Sequence, residues 1–124
     1  MNIIISNNIN LPIYEQIVRA VKNEIIAGNI KEEDPLPSIR GLARDLQISI
    51  ITTNRAYEEL EKEGLIYSKA GKGFFVSKQN TNMLKEKKIQ GIENDIQELV
   101  KECKKSGISK EEMLGMIEVI WDEK

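Results

Sequence analysis

The chain has 124 residues, 40% of them hydrophobic and 31% charged, with a formal net charge of −2. That composition allows one modest core with an appendage and excludes two large domains, a disordered chain and a strongly basic polymer binder. A single cysteine, Cys103, forbids an internal disulfide, and the lack of histidine excludes a zinc site of His and Cys as well as Ser-His or Cys-His catalysis. No metal, cofactor or catalytic residue is therefore expected. Met1-Asn2-Ile3-Ile4-Ile5 lacks the positive start and apolar length of a signal peptide. No run approaches the roughly 20 apolar residues of a membrane span, so a cytoplasmic protein with no membrane partner is expected.

In chain order, a first helix is predicted to start at Pro12, preorganised for a first turn, and to run to Ala27 before Gly28 stops it. Ile13, Ile17, Val21 and Ile25, with Tyr14 and Val18 alongside, repeat at helical steps and form a core stripe. Residues 29–37 carry a Lys-Glu-Glu-Asp run and two prolines, the composition of an exposed loop. Ser38 suits an N-cap for a short helix whose Ile39, Leu42, Ala43 and Leu46 face inward. Gln47-Ile48 makes a turn, and Ser49 caps a third helix that returns Ala56, Tyr57 and Leu60 to the core. Gly64 ends it. Leu65-Ile66-Tyr67-Ser68 and Phe74-Phe75-Val76-Ser77 then read as two strands joined by Ala70-Gly71-Lys72-Gly73.

Residues 78–82 are polar and short, a predicted hinge between a first domain, 1–78, and a C-terminal region, 79–124. Beyond it Ile89, Ile92, Ile96, Leu99 and Cys103 recur at steps of three, four, three and four, the rhythm of a helix that packs along another helix. Cys103, on this stripe, is expected to be an inert buried thiol. After Ser106-Gly107-Ile108, Ser109 with Glu112 three positions on forms a capping-box pattern. It opens a helix with Met113, Leu114, Ile117, Ile120 and Trp121 on one side. Two such helices cannot bury both stripes on each other alone, and the same tail from a second chain is the most economical partner.

The fold class these elements define is mainly α (α+β): a winged helix-turn-helix followed by a two-helix dimerisation tail. Such a domain lays its second helix-turn-helix helix in the major groove of DNA. Charge bears on that reading through distribution rather than sum. Residues 1–80 hold ten Lys/Arg against ten Asp/Glu, whereas 35–80 hold seven against five. Four of those five acids, Glu58, Glu59, Glu61 and Glu63, crowd the late part of one helix, leaving Arg40, Arg44, Arg55, Lys69, Lys72 and Lys78 as a locally positive face. Each feature has a duller reading. Arg40 and Arg44 can be solvated surface charges, Arg55 can pair with Glu58 or Glu59 within its helix, and Lys69 and Lys72 can guard a strand edge. A winged helix that meets protein instead of specific DNA is the alternative, kept open by the zero net charge of residues 1–80.

Leu36-Pro-Ser-x-Arg40-x-Leu-Ala43, Thr52-x-Asn54-Arg55-Ala56-Tyr57-x-x-Leu60-x-x-x-Gly64-Leu65-Ile66 and Gly71-x-Gly73-x-Phe75-Val76 together resemble the DNA-binding domain of the GntR family of bacterial transcription regulators. Pro12-Ile13-Tyr14-x-Gln16-Ile17 is similar to that family's first helix, and the short tail resembles its YtrA-like subfamily. The resemblance implies a homodimeric repressor of its own operon, often one encoding an ABC transporter, bound to a near-palindromic operator in double-stranded DNA. It places Arg40 at a DNA-contacting position, Ser49, Thr52 and Arg55 on the recognition helix, and Gly71 and Gly73 at the wing tip; Asn54 on the same helix and Lys69 and Lys72 on the hairpin join them as candidate DNA contacts. Arg44 joins this set as a neighbouring cation. Dimerisation falls to Ile89, Ile92, Ile96, Leu99, Met113, Ile117, Ile120 and Trp121. Ile50 and Ile51 depart from the family pattern, which has polar or basic residues there. No effector is identified.

Overall fold

A computed structural model describes residues 3–78 and 81–123. Among them the elements are α1 (Ile13–Ala27), α2 (Ile39–Leu46), α3 (Ile50–Lys62), β1 (Ile66–Lys69), β2 (Gly73–Val76), α4 (Thr81–Lys105) and α5 (Lys110–Trp121). The chain divides into two compact units, Met1–Thr81 and Asn82–Lys124. The predicted hinge includes residues 79 and 80, which lie outside the described residues, while Thr81 already begins α4.

The first unit is a three-helix core backed by a hairpin. The apolar stripe of α1 supplies Ile17, Val18, Val21 and Ile25, all buried, and α3 answers with Ala56, Tyr57 and Leu60. Leu42 and Ala43 of α2 and Leu65, Ile66 and Val76 of the hairpin close the interior. Burying each large aliphatic group stabilises by about 1.5–3 kcal/mol, so this shared interior fixes the angle at which α3 is presented. At the end of α3 an ion pair adds a surface tie, Lys22 Nζ to Glu63 Oε1 at 2.8 Å.

The starts of α2 and α3 follow the residues read from sequence, whereas α1 begins at Ile13, one residue after the expected Pro12, which holds the N-cap position at φ −53° and ψ 145°. Ser38 Oγ accepts from Gly41 N at 2.9 Å and Ser49 Oγ from Thr52 N at 3.0 Å, each satisfying an otherwise unpaired first-turn amide. Between α2 and α3 the chain reverses at Gln47, held at φ 56° and ψ 47°. Gln47 N–H bonds Arg44 O and Ile48 N–H bonds Ala43 O, a closing pattern that glycine usually serves. A side chain in that left-handed region costs roughly 1–2 kcal/mol. The cost is tolerated because this reversal sets the helix-turn-helix angle.

The strands pair antiparallel with Ile66 opposite Val76 and Lys69 opposite Gly73. Both are displaced from the sequence expectation: β1 starts one residue later than Leu65, and β2 starts at Gly73, leaving Ala70-Gly71-Lys72 as the turn. Residues 29–37 are the mostly exposed loop expected from sequence, and its backbone is tied to β2: Glu33 N bonds Val76 O, Val76 N bonds Asp34 O and Leu36 N bonds Phe74 O, with Pro35 bridged to Phe75. The segment thus covers the outer edge of β2.

The segment before α1 is tied by one buried amide. Gln16 Oε1 accepts from Ser6 N at 2.9 Å, while its Nε2 donates to Ser6 O at 2.8 Å and Leu11 O at 2.9 Å. Replacing Gln16 by Leu removes all three bonds at similar volume. The expected result is rapid hydrogen exchange at the Ser6 amide with slow exchange retained on α3; protection at Ser6 equal to wild type would refute the anchoring role.

In the second unit α4 ends in a tight reversal, where Ile108 N bonds Cys103 O at 2.9 Å and Gly107 takes φ 73°. Ser109 and Glu112 form the expected reciprocal capping box. The apolar stripes stay open: Ile92 and Ile96 are each 48% exposed, Ile120 63% and Trp121 82%. Cys103 is half-buried rather than buried.

Candidate nucleic-acid interface

The helix-turn-helix is built so that α3 buries one face and offers the other. Thr53, Ala56, Tyr57 and Leu60 point inward. With 3.6 residues per turn, the opposite stripe is Ile51, Asn54, Arg55, Glu58 and Lys62, all exposed. Thr53 is fully buried and donates from Oγ1 to Ser49 O at 3.1 Å, which secures the first turn from inside. Tyr57 spans the joint between α3 and the entry to α2. Its hydroxyl donates to Pro37 O at 2.6 Å and its ring meets Phe74 edge-on, with centroids 5.0 Å apart. Burial pushes the Tyr57 phenol far above its usual pKa, so the hydroxyl stays a donor.

The residues singled out from sequence occupy different states. Arg40 stands exposed in the first turn of α2, and among the described residues no carboxylate pairs with it. Arg44 is exposed, with Nε 3.9 Å from Asp45 Oδ1, a contact that hardly constrains it. Ser49 and Thr52 are joined, Ser49 Oγ donating to Thr52 Oγ1 at 2.8 Å while capping the helix. Asn54 Nδ2 donates to Glu58 Oε1 at 2.9 Å. Arg55 does not pair with Glu58 or Glu59. Its guanidinium lies 3.9 Å from the centre of the Tyr14 ring on α1, where the π face attracts the cation.

On the wing, Lys69 is the last residue of β1 and is held at its base. Its Nζ lies 3.6 Å from Glu33 Oε2 and 4.6 Å from the Phe75 ring centre. Tyr67 donates a hydrogen bond to the same Glu33 carboxylate, and that bond is the main reason its phenol pKa rises. Lys72 sits in the exposed turn with its N–H bonded to Lys69 O at 2.9 Å. Gly71 and Gly73 flank it at φ 74° and 100°, angles that L side chains rarely adopt, so these two positions need glycine for the turn to close. The partners missed in the sequence, Tyr14 for Arg55 and Glu33 for Lys69, lie on other elements, and local spacing carries no signal for either.

Among the described residues no acidic or cysteine cluster suits a metal ion, and no helix is long and apolar enough to cross a membrane. A capped α2, a reversal at Gln47, an outward α3 and a glycine-tipped hairpin define a winged helix-turn-helix of the DNA-binding class. Residues 13–76 match the profile of the bacterial regulatory proteins, gntR family, and the chain belongs to that family. It is 34% identical over 109 residues to the HTH-type transcriptional repressor YtrA of Bacillus subtilis (strain 168), covering 88% of this chain and 84% of YtrA. A transcriptional regulator from Oenococcus oeni has a similar crystal structure, with TM-score 0.70 and 30% identity over 94% of this chain and 97% of that one. The AraR DBD in complex with operator ORX1 superimposes with TM-score 0.55 and 26% identity, over 62% of this chain and 96% of that one. The protein is thus a DNA-binding transcription regulator and not an enzyme.

Proposed function

We propose that the protein is a homodimeric repressor that binds a near-palindromic operator controlling its own operon. The observation that carries the reading is the exposed α3 stripe together with Arg40, exposed in the first turn of α2 and without a carboxylate partner among the described residues. In this reading the first turns of α2 and α3 enter the major groove. Arg40 and Arg55 meet bases or phosphates, Arg44 adds a phosphate contact, and Ser49, Thr52 and Asn54 supply short polar groups. Lys72, presented between Gly71 and Gly73, reaches a neighbouring backbone, and Lys69 supports it from the wing base. Ile89, Ile92, Ile96 and Leu99 of α4 with Met113, Ile117, Ile120 and Trp121 of α5 join two chains. Two recognition helices then lie about 34 Å apart along one face of the duplex. The similarity to a transcriptional repressor, YtrA, supports the sign of regulation. An ABC transporter cotranscribed with the gene would support the finer assignment.

Arg40→Ala tests the interface. The substitution is expected to cost about 1–3 kcal/mol of operator affinity in fluorescence anisotropy while leaving the melting temperature in place, because the side chain is exposed. Undiminished affinity would remove Arg40 from the interface. Across a salt titration, about four to six neutralised phosphates per dimer are expected to make log affinity fall with a slope near −4 to −5. A flat titration, or no shift at low salt with either promoter or random DNA, would favour the protein-interaction reading.

A further inference from the structure

The leading turn of α3 presents an unusual surface for a helix that meets DNA. Ile51 is 82% exposed and Ile50 beside it 46% exposed, although the first helical turn is where base edges are met. The polar groups around them are engaged within the protein. Ser49 Oγ caps the helix and bonds Thr52 Oγ1, Asn54 bonds Glu58, and Arg55 lies over Tyr14. Ile51 shares the outward stripe with Asn54 and Arg55, whereas Ile50 sits toward its edge. An isoleucine in a helix holds nearly one χ1 rotamer, so its outer methyls occupy a fixed place. In the major groove the apolar feature of a base edge is the thymine 5-methyl, which marks A·T pairs and their orientation.

We infer that Ile51 reads a thymine methyl in each operator half-site and is a specificity-determining residue of this chain. The inference rests on the reading that α3 enters the major groove. Excluding water between Ile51 and one methyl group changes affinity about threefold to tenfold. Ile50 borders the contact and shields it from solvent.

The test begins with duplexes selected by the full-length chain from a random-sequence library. Affinity is then measured by fluorescence anisotropy for the preferred duplex and for copies in which single thymines become deoxyuridine, which lacks only the 5-methyl. One thymine per half-site is expected to show a threefold to tenfold loss on replacement. Ile51→Ser is expected to bind the thymine and deoxyuridine duplexes equally, and Ile51→Val to keep part of the difference. Serine and isoleucine have similar helix propensities and the site is exposed, so an unchanged melting curve separates lost readout from lost fold. Wild-type affinity unmoved by every replacement, or an Ile51→Ser variant with the wild-type penalty, overturns the inference and leaves DNA binding standing. A library that yields no preferred duplex overturns both.

Discussion

If the proposed dimer forms through α4, glutamates at both Ile92 and Ile96 are expected to convert it to a monomer at micromolar concentration and to weaken operator binding by at least about a hundredfold. The two side chains are each 48% exposed within their own unit, one turn apart on a 25-residue helix, and their neighbours on the stripe are equally open. A stripe of that length left in water is a standing liability, and covering it is worth about 1.5–3 kcal/mol for each isoleucine that becomes buried. Carboxylates at these points would have to be stripped of water in an apolar stripe, and a symmetric interface would place them in both chains at once. Loss of the proposed dimer would turn one two-site binding event into two independent ones, which removes the gain of tethering. Light scattering during size exclusion reads the mass, and anisotropy reads the affinity. The core around α3 lies in the other unit, so its melting is expected to stay near wild type. A variant that remains dimeric would move the interface off α4.

Where the sequence spoke clearly, short-range chemistry was responsible. Ser38, Ser49 and Ser109 each cap the helix they precede, because a hydroxyl three residues before an unpaired amide has one economical partner. The 3.6-residue stripes of α1 and α3 named Ile17, Val18, Val21, Ile25, Ala56, Tyr57 and Leu60 for the same local reason, although Ile13 and Tyr14 of that stripe are only half-buried and the buried Gln16 and Thr53 were not named. The gaps were tertiary. Residues 29–37 are the loop that their charges and prolines announce, but its backbone bonds to β2 some forty residues away were not legible, because backbone pairing leaves no side-chain signature. Gln47 adopts the left-handed conformation without the glycine that announces it. Arg55 had carboxylates one turn away in sequence, and folding offered it the Tyr14 ring of α1 instead. The candidate interface was therefore legible as a set of positions, while the pairing state of each side chain was not. That state matters to the proposed mechanism: Arg40 can approach DNA as it stands, whereas Arg55 must leave Tyr14 to reach it.

Tyr57→Ala is expected to destabilise the first unit by about 3–5 kcal/mol, enough to unfold much of it at physiological temperature. The residue is 1% exposed, its ring packed edge-on against Phe74, and its removal opens a void that a tightly packed three-helix core cannot collapse to fill. Tyr57→Phe isolates the hydroxyl. That variant keeps the ring but leaves Pro37 O without its donor, at an expected cost of about 1–3 kcal/mol. Each kcal/mol lowers the melting temperature of a unit this size by about 4–8 °C, so differential scanning calorimetry resolves the two variants. The second consequence is functional. Pro37 immediately precedes the Ser38 cap and stands three residues before Arg40, so releasing its carbonyl loosens the turn that aims the guanidinium. Tyr57→Phe is therefore expected to weaken operator binding well below its own melting temperature, with faster exchange at the Gly41 and Leu42 amides. Because burial keeps this phenol protonated, the wild-type anchor is expected to hold across the pH range in which the fold survives. A Tyr57→Phe variant with wild-type melting and wild-type affinity would show that the hydroxyl does not fix the entry to α2, and that packing alone positions Arg40.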